Sequence, residues 1–253
     1  MRGIIPQGCK TSVNRLKEGP AVWSTVINQG VEYNDDSFSK RNMLYSFPSD
    51  NWWRSFGYSA FLISGTTEFV RLKDAYPDNT MWGAGGVDFI DPTQGQLGNC
   101  YILAAMGAIA EFPDIVKDVF LTKDLNNEGI YAMKLFIRGK PWIITIDDSI
   151  MQFNDGTPYF SAIGDYMWVP LLEKAWAKMK GTYERTSGGW AQNGIRAFTG
   201  APVFEYWVNQ ITSTPNEVHA ILKASNDLDY IMGAGTDGTD TELNSCNIVA
   251  GHA

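Results

Sequence analysis

Gln94-Gly95-Gln96-Leu97-Gly98-Asn99-Cys100-Tyr101-Ile102-Leu103-Ala104-Ala105 joins a glycine-bearing loop to a run that stays apolar nearly all round as far as Phe112. A segment apolar on every face is what a buried helix shows, so a helix is expected from Cys100 toward Pro113. Pro113 ends that helix or starts the next short element. Cys100 then falls in the first helical turn, where the positive end of the macrodipole favours thiolate over thiol. Gly95 and Gly98 let the backbone turn tightly and let a substrate chain come close. Gln94, six residues before the cysteine, carries an amide that can donate toward the carbonyl the sulfur would attack. A thiolate, the N–H at its own position and an amide donor are the parts of an acyl-transfer site. A lone free cysteine is more often a small buried hydrophobe, and it is the loop around Cys100 that outweighs that reading.

On either side of this stretch the pattern is mixed. Ile130–Ile137 and Trp142–Ile146 read as strands joined through Arg138-Gly139-Lys140-Pro141, a hairpin. Asn154-Asp155-Gly156 is a second turn signal. Trp168, Leu171, Leu172, Ala175 and Met179 recur at helical spacing and predict an amphipathic helix over 168–180, stopped by Gly181. Shorter helices are expected near 191–198 and over 216–224. The tail, 230–253, is expected to alternate strand-like segments around an acidic loop. Residues 1–50 read as a lead-in wrapping the domain, and 51–98, rich in Trp, Gly, Asp and Pro, as mostly loop. The class is α+β: a mostly helical domain with a hairpin attached, then the beginning of something more β-like.

Composition narrows the function. At 253 residues, 44% hydrophobic and 19% charged, the chain has the make-up of a soluble globular protein with room for a sizeable core. A net charge of -8, with no local Lys/Arg cluster, argues against nucleic acid as a partner. The N-terminus lacks a secretory pattern, and the longest apolar run, Tyr101 to Ala110, is about half of a bilayer span. Nothing indicates a stable membrane anchor. Cys9, Cys100 and Cys246 are odd in number and widely spaced, unlike a disulfide framework. A cytoplasmic, reducing environment is expected.

The segment Gln94–Ala105 resembles the active-site signature of the calpain family, commonly Q-G-x-L-G-D-C-W-x-L-A-A. Further blocks follow in the family's order: Leu171-Leu172-Glu173-Lys174-Ala175-Trp176-Ala177-Lys178, Gly181, Tyr183-Glu184, Ser187-Gly188-Gly189, Phe198-Thr199-Gly200, and Gly251-His252-Ala253. Trp142–Asp148, a Trp followed by paired Asp, also fits. The likeness covers roughly 80–253. It implies a papain-like cysteine proteinase fold and a cysteine endopeptidase that cleaves intracellular proteins through a thioester. By the same resemblance Cys100 is the nucleophile, His252 the general base and Gln94 the oxyanion donor. His252 suits the task, because imidazole can take the thiol proton and return it to the leaving amine. His219, within NEVHAILKA, reads as a solvated or packing residue.

The chain departs from the family pattern at three places. Asn99 stands where Asp is usual, and Tyr101 where Trp is usual, as an aromatic wall that can still shield the site. The orienting Asn and the Trp after it have no counterpart past His252. The resemblance therefore implies three parts: a lead-in over 1–50, a helical Cys-bearing subdomain over 51–205, and an incomplete start of a β-rich His-bearing subdomain over 206–253. Weak or no activity is expected of the chain in isolation. A calpain-like binding or regulatory module without hydrolysis is the alternative. A transglutaminase-like acyl transferase fits the blocks around Leu171 and Ser187 less well.

The resemblance also implies calcium. Ala84, Gly86 and Asp91 lie 16, 14 and 9 residues before Cys100 and fall in register with the family's first core calcium loop, with Glu184 as the carboxylate from the other side. Two carbonyls and two carboxylates suit a hard, oxygen-seeking cation. Asp124–Gly129 opens like an EF-hand loop, but its twelfth position is Leu135, so it reads as a turn. Asp237, Asp240 and Glu242 lack ligand spacing and read as a solvated loop.

Overall fold

The computed structural model describes residues 22–44, 67–207, 214–238, 243 and 247–253. In chain order these form α1 (Val22–Val26), α2 (Arg41–Leu44), β1 (Thr67–Arg71), α3 (Leu72–Ala75), α4 (Cys100–Ala110), α5 (Pro113–Val119), β2 (Ile130–Ile137), β3 (Lys140–Asp147), β4 (Ser149–Phe153), α6 (Trp168–Lys180), a 3-10 turn (Glu184–Thr186), α7 (Ala191–Thr199) and α8 (Pro215–Asn226). The architecture is mixed α+β. Much of the expected lead-in and residues 51–66 fall outside the described residues, as do Cys9 and Cys246.

The hairpin is tighter than the sequence suggests. β2 and β3 pair antiparallel with Ile137 opposite Lys140, so the loop is Arg138-Gly139 alone. Both residues have positive φ, 53° and 73°, as a two-residue turn matched to the twist of its strands requires. Lys140 and Pro141 therefore belong to the strand. A proline is tolerated there because a two-stranded sheet has only edge strands. The second pair, β1 with β4, runs antiparallel from Thr67↔Phe153 to Arg71↔Ser149.

α6 fills the centre of the molecule. Its residues from Trp168 to Lys178 are buried, so the helix is enclosed on all sides instead of showing one apolar stripe. Gly181 ends it at φ 105°. Enclosure brings Lys174 and Lys178 inside, and buried charges need partners. Lys174 Nζ reaches Asp147 Oδ1 at 2.5 Å and donates to Ser149 O at 2.6 Å. Lys178 Nζ reaches Asp35 Oδ2 at 2.5 Å and donates to Thr145 O at 2.7 Å. Asp35 N in turn donates to Asp147 Oδ2 at 2.8 Å, pinning the segment before α2 to the end of β3. Burial works to raise the Asp147 carboxyl, but the charge and hydrogen bond of Lys174, with the hydrogen bonds from Ser149 and Asp35 N, together outweigh it and hold the group below the ordinary value of 3.8.

α4 packs against α7 across a glycine. A Cβ on Gly194 would stand 2.6 Å from both Ala105 Cβ and Ile102 Cδ1, so only hydrogen at that position permits so close an approach. Trp176 Nε1 donates to Tyr101 Oη at 3.1 Å, tying α6 to the first turn of α4. A second cluster gathers Phe38, Met43, Leu97, Phe160 and Tyr183 behind the 94–99 loop, with the Phe160 and Tyr183 rings stacked at 3.6 Å. In the tail the expected strands do not form among the described residues. Strand backbone needs a paired neighbour, and there is one isolated bridge, Leu243↔Val249. Thr236 takes the role of fastener, donating from N to His252 O at 2.8 Å and from Oγ1 to Val249 O at 2.6 Å.

Candidate active site

The loop from Thr93 to Asn99 lies along the segment Tyr159–Ala162. Gln96 N donates to Tyr159 O at 2.9 Å, and Ala162 N to Thr93 O at 2.9 Å. Gly95 is obligatory here, because a Cβ would lie 1.5 Å from Phe160 O. Gly98 O accepts from Gly188 N at 2.8 Å, linking the loop to the Ser187-Gly188-Gly189 turn. Gly189 in turn lies against the Tyr101 ring, which a Cβ would meet at 2.6 Å. The glycines that the sequence marks are thus places where two backbones, or a backbone and a ring, touch.

Cys100 opens α4 and is half-buried, its neighbour Tyr101 being 2% exposed. Tyr101 is turned into the core against Trp176 and does not line the cleft, so it supplies no aromatic wall. Its hydroxyl is pushed up to about 12, chiefly by burial. The sulfur therefore sits at the positive end of the helix, beside first-turn N–H groups that have no partner within the helix. Asn99 occupies the N-cap but makes no side-chain cap hydrogen bond. Its Nδ2 donates instead to Glu173 Oε1 at 2.6 Å.

A cleft of about 520 Å³ runs along the outer face of α4. Gln94, Cys100 and His252 all line it, together with Phe89, Leu103, Ala104 and Met232. The three residues singled out for chemistry, although spread over 158 positions (94 to 252), thus share one cavity. Gln94 Nε2 donates to Leu97 O at 2.6 Å, which fixes the amide and leaves the second hydrogen of that nitrogen for another acceptor. His252 Nδ1 lies 3.0 Å from Ala253 O and 3.1 Å from Ala253 N. In the tautomer in which Nδ1 donates to that oxygen, Nε2 is an acceptor, which a base needs; in the one in which Nδ1 accepts from Ala253 N, Nε2 carries the proton. His219 is exposed on α8, none of whose residues is buried.

The candidate cation donors are arranged differently. Ala84, Gly86 and Asp91 lie on one loop, shaped by positive φ at Gly83 and Gly86 (77° and 81°) and braced by Asp165 Oδ2, which accepts from Ala84 N at 2.8 Å. Asp91 Oδ2 accepts from Trp168 Nε1 at 2.9 Å and from Asp88 N at 3.0 Å, leaving Oδ1 outside those bonds. Glu184 is buried on the 3-10 turn, which packs on α6. Among the described residues no three His, Cys, Asp or Glu side chains gather as a metal cluster, so a cation here would depend on carbonyl oxygens. That donor chemistry fits calcium. The Asp124–Gly129 segment is a turn, with Asn126 Oδ1 accepting from Ile130 N at 3.1 Å. No helix among the described residues is long and apolar enough to cross a membrane.

Glu173, buried behind the cleft against Asn99, is a residue that periodicity misses. It lies off the apolar stripe of α6, and enclosure of the whole helix is what brings it inside. The available signal was an acid beside a lysine (Glu173-Lys174) in a helix flanked by apolar residues on both sides.

Comparison with known proteins adds the rest. A family model described as "Calpain family cysteine protease" matches residues 46–253. A calpain-type cysteine protease of Oryza sativa subsp. japonica is 33% identical over 177 residues, 67% of this chain and 8% of the relative. The calpain-2 catalytic subunit of Bos taurus is 31% identical over 185 residues, 70% of this chain and 26% of that protein. The calpain-1 catalytic subunit of Homo sapiens is 29% identical over 169 residues, 63% and 22% respectively. The chain thus spans between 8% and 26% of the length of these relatives.

Proposed function

Because the chain belongs to the calpain family of cysteine proteases, we propose that it carries the nucleophile-bearing part of a calcium-dependent, papain-like cysteine endopeptidase acting on intracellular proteins in the cytoplasm. The observation that carries this reading is the shared cleft: a half-buried sulfur at a helix N-terminus, a fixed carboxamide and an imidazole on one cavity wall.

The chemistry follows from those groups. Cys100 gives its proton to His252, and the sulfur attacks the carbonyl carbon of a peptide bond. The carbonyl oxygen becomes an oxyanion, which the Cys100 N–H and the Gln94 amide stabilise. Collapse breaks the C–N bond, and the imidazolium returns the proton to the departing amine. Water then adds to the thioester, and a second collapse releases the acid and restores the thiol. Calcium would supply no reacting atom. Held by the carbonyls of Ala84 and Gly86 and the carboxylates of Asp91 and Glu184, it would fix the loop that leads into Gln94.

One observation favours the alternative, a calpain-like binding or regulatory module. Among the described residues His252 Nδ1 bonds to the backbone of its neighbour Ala253, so the imidazole is oriented there by backbone and not by a side chain. The test is labelling by a peptidyl epoxide with and without calcium, read by mass spectrometry at each cysteine. Cys100 is expected to react ahead of Cys9 and Cys246, and faster with calcium. Equal labelling of all three defeats the protease reading, and calcium-independent labelling defeats only its calcium clause.

A further inference from the structure

One buried acid stands behind this site without a part in the chemistry above. Glu173 is 1% exposed, and burial pushes its carboxyl above the ordinary range. Its two oxygens go in different directions. Oε1 accepts from Asn99 Nδ2 at 2.6 Å, and Oε2 accepts from Ser161 N at 3.0 Å. Asn99 precedes the nucleophile, whereas Ser161 belongs to Tyr159–Ala162, the segment to which the Gln94 loop is bonded on both sides. A single carboxyl therefore spans the two backbones that set the distance between sulfur and carboxamide.

The same contact has a second effect. Asn is among the best N-cap residues, and its side-chain oxygen would ordinarily accept from the first-turn N–H groups. Here Asn99 makes no cap bond, and its Oδ1 is buried without a hydrogen-bond partner. Engagement of Nδ2 by Glu173 holds the amide away from the helix end, so its side-chain oxygen does not close the first turn, where the Asn99 carbonyl accepts from Ile102 N at 3.0 Å.

Resting on the protease reading, we propose that Glu173 is a positioning residue for Cys100. It clamps Asn99 and Ser161 together, which fixes the nucleophile relative to Gln94 and keeps Asn99 from capping α4. Among the described residues no other charged side chain is seen to bond to this group: Lys174, next in sequence, is committed to Asp147 and Ser149.

The test uses the whole chain and iodoacetamide, with alkylation rates read separately for Cys100, Cys9 and Cys246. Glu173→Met keeps the volume and removes both acceptors. Glu173→Gln keeps a bond to each partner once the Asn99 amide inverts, because Asn99 Oδ1 is otherwise unsatisfied. Glu173→Met, which loses both hydrogen bonds, is expected to slow Cys100 about tenfold while the other two rates hold. Glu173→Gln is expected to stay within about threefold of the unmodified chain. Asn99→Ala, which cuts only the arm to the nucleophile, is expected to slow Cys100 and decides the matter if Glu173→Met does not fold. A Cys100 rate unchanged in Glu173→Met and Asn99→Ala overturns the proposal and leaves the protease reading intact. A uniform rise at all three cysteines shows loosened packing and also overturns it. Equal rates in the unmodified chain remove both readings together.

Discussion

Gly95 and Gln94 are neighbours with opposite demands. Gly95 is fixed by what it must not have, since a Cβ there would coincide with Phe160 O. Gly95→Ala is expected to cost several kcal/mol, about the upper range for one substitution, or to prevent folding. Gly85→Ala is the control: nothing lies within 4 Å of its Cβ position, and the urea midpoint should scarcely move. A Gly95→Ala protein as stable as the Gly85→Ala one would mean that the loop does not lie on Phe160. Gln94 is fixed by the bond it makes, its Nε2 donating to Leu97 O at 2.6 Å. Where peptide hydrolysis is measured, Gln94→Ala should lower kcat by about 100- to 1,000-fold, with little change in KM. An unaltered kcat would remove it from the oxyanion role. The sequence marks Gly95 as a place for a tight turn, and the structure instead needs it for the close approach of a backbone 65 positions later (95 to 160), which no local signal reveals.

Elements were legible where local chemistry decides them. The helix over 168–180 is found at Trp168–Lys180 because apolar spacing and a terminal glycine act within the segment itself. The strand limits at Lys140 and Pro141 and the irregular tail were not legible, because pairing is a property of two segments. α8 shows the intermediate case. Thr214 and Glu217 form a complete capping box, and the helix forms with no buried residue at all. Packing between elements yields a sharper prediction. Gly194→Ala would drive α4 and α7 apart at Ile102 and Ala105, for an expected loss of about 1–3 kcal/mol, read as a lower urea midpoint at constant slope. An unmoved midpoint would show that the two helices separate freely. Because Cys100 begins α4, the same substitution should also disturb its alkylation.

At the scale of the molecule, buried charge sets the response to pH. Asp147 is held below 3.8 because Lys174, Ser149 and Asp35 N together outweigh the pull of burial, so the folded state binds its proton less readily than the unfolded state. Stability from this pair is therefore present above the ordinary aspartate range and is lost as pH falls through the lower folded value. Glu173 and Asp148, both raised chiefly by burial, act in the opposite sense and favour the fold on the acid side of their own titrations. Comparing the native chain with Asp147→Asn isolates the first effect. The variant should be about 3–5 kcal/mol less stable at neutral pH, with Lys174 left inside without its counter-charge, and its Tm should fall less between pH 5 and pH 3. Parallel Tm curves would show that Asp147 does not govern the acid limb.

Adjacent residues of opposite sign, Glu173 and Lys174, occupy separate compartments of one enclosed helix, the first facing Asn99 and Ser161 and the second Asp147 and Ser149. Rolling that helix by one position, about 100°, would set the ammonium against an amide N–H in one sense, or the carboxylate against a carboxylate in the other. The greasy sides of the helix could tolerate such a slip; the two ions cannot. α6 therefore works like a two-pin plug with unlike pins, so that collapse around it must find the right orientation before it can close.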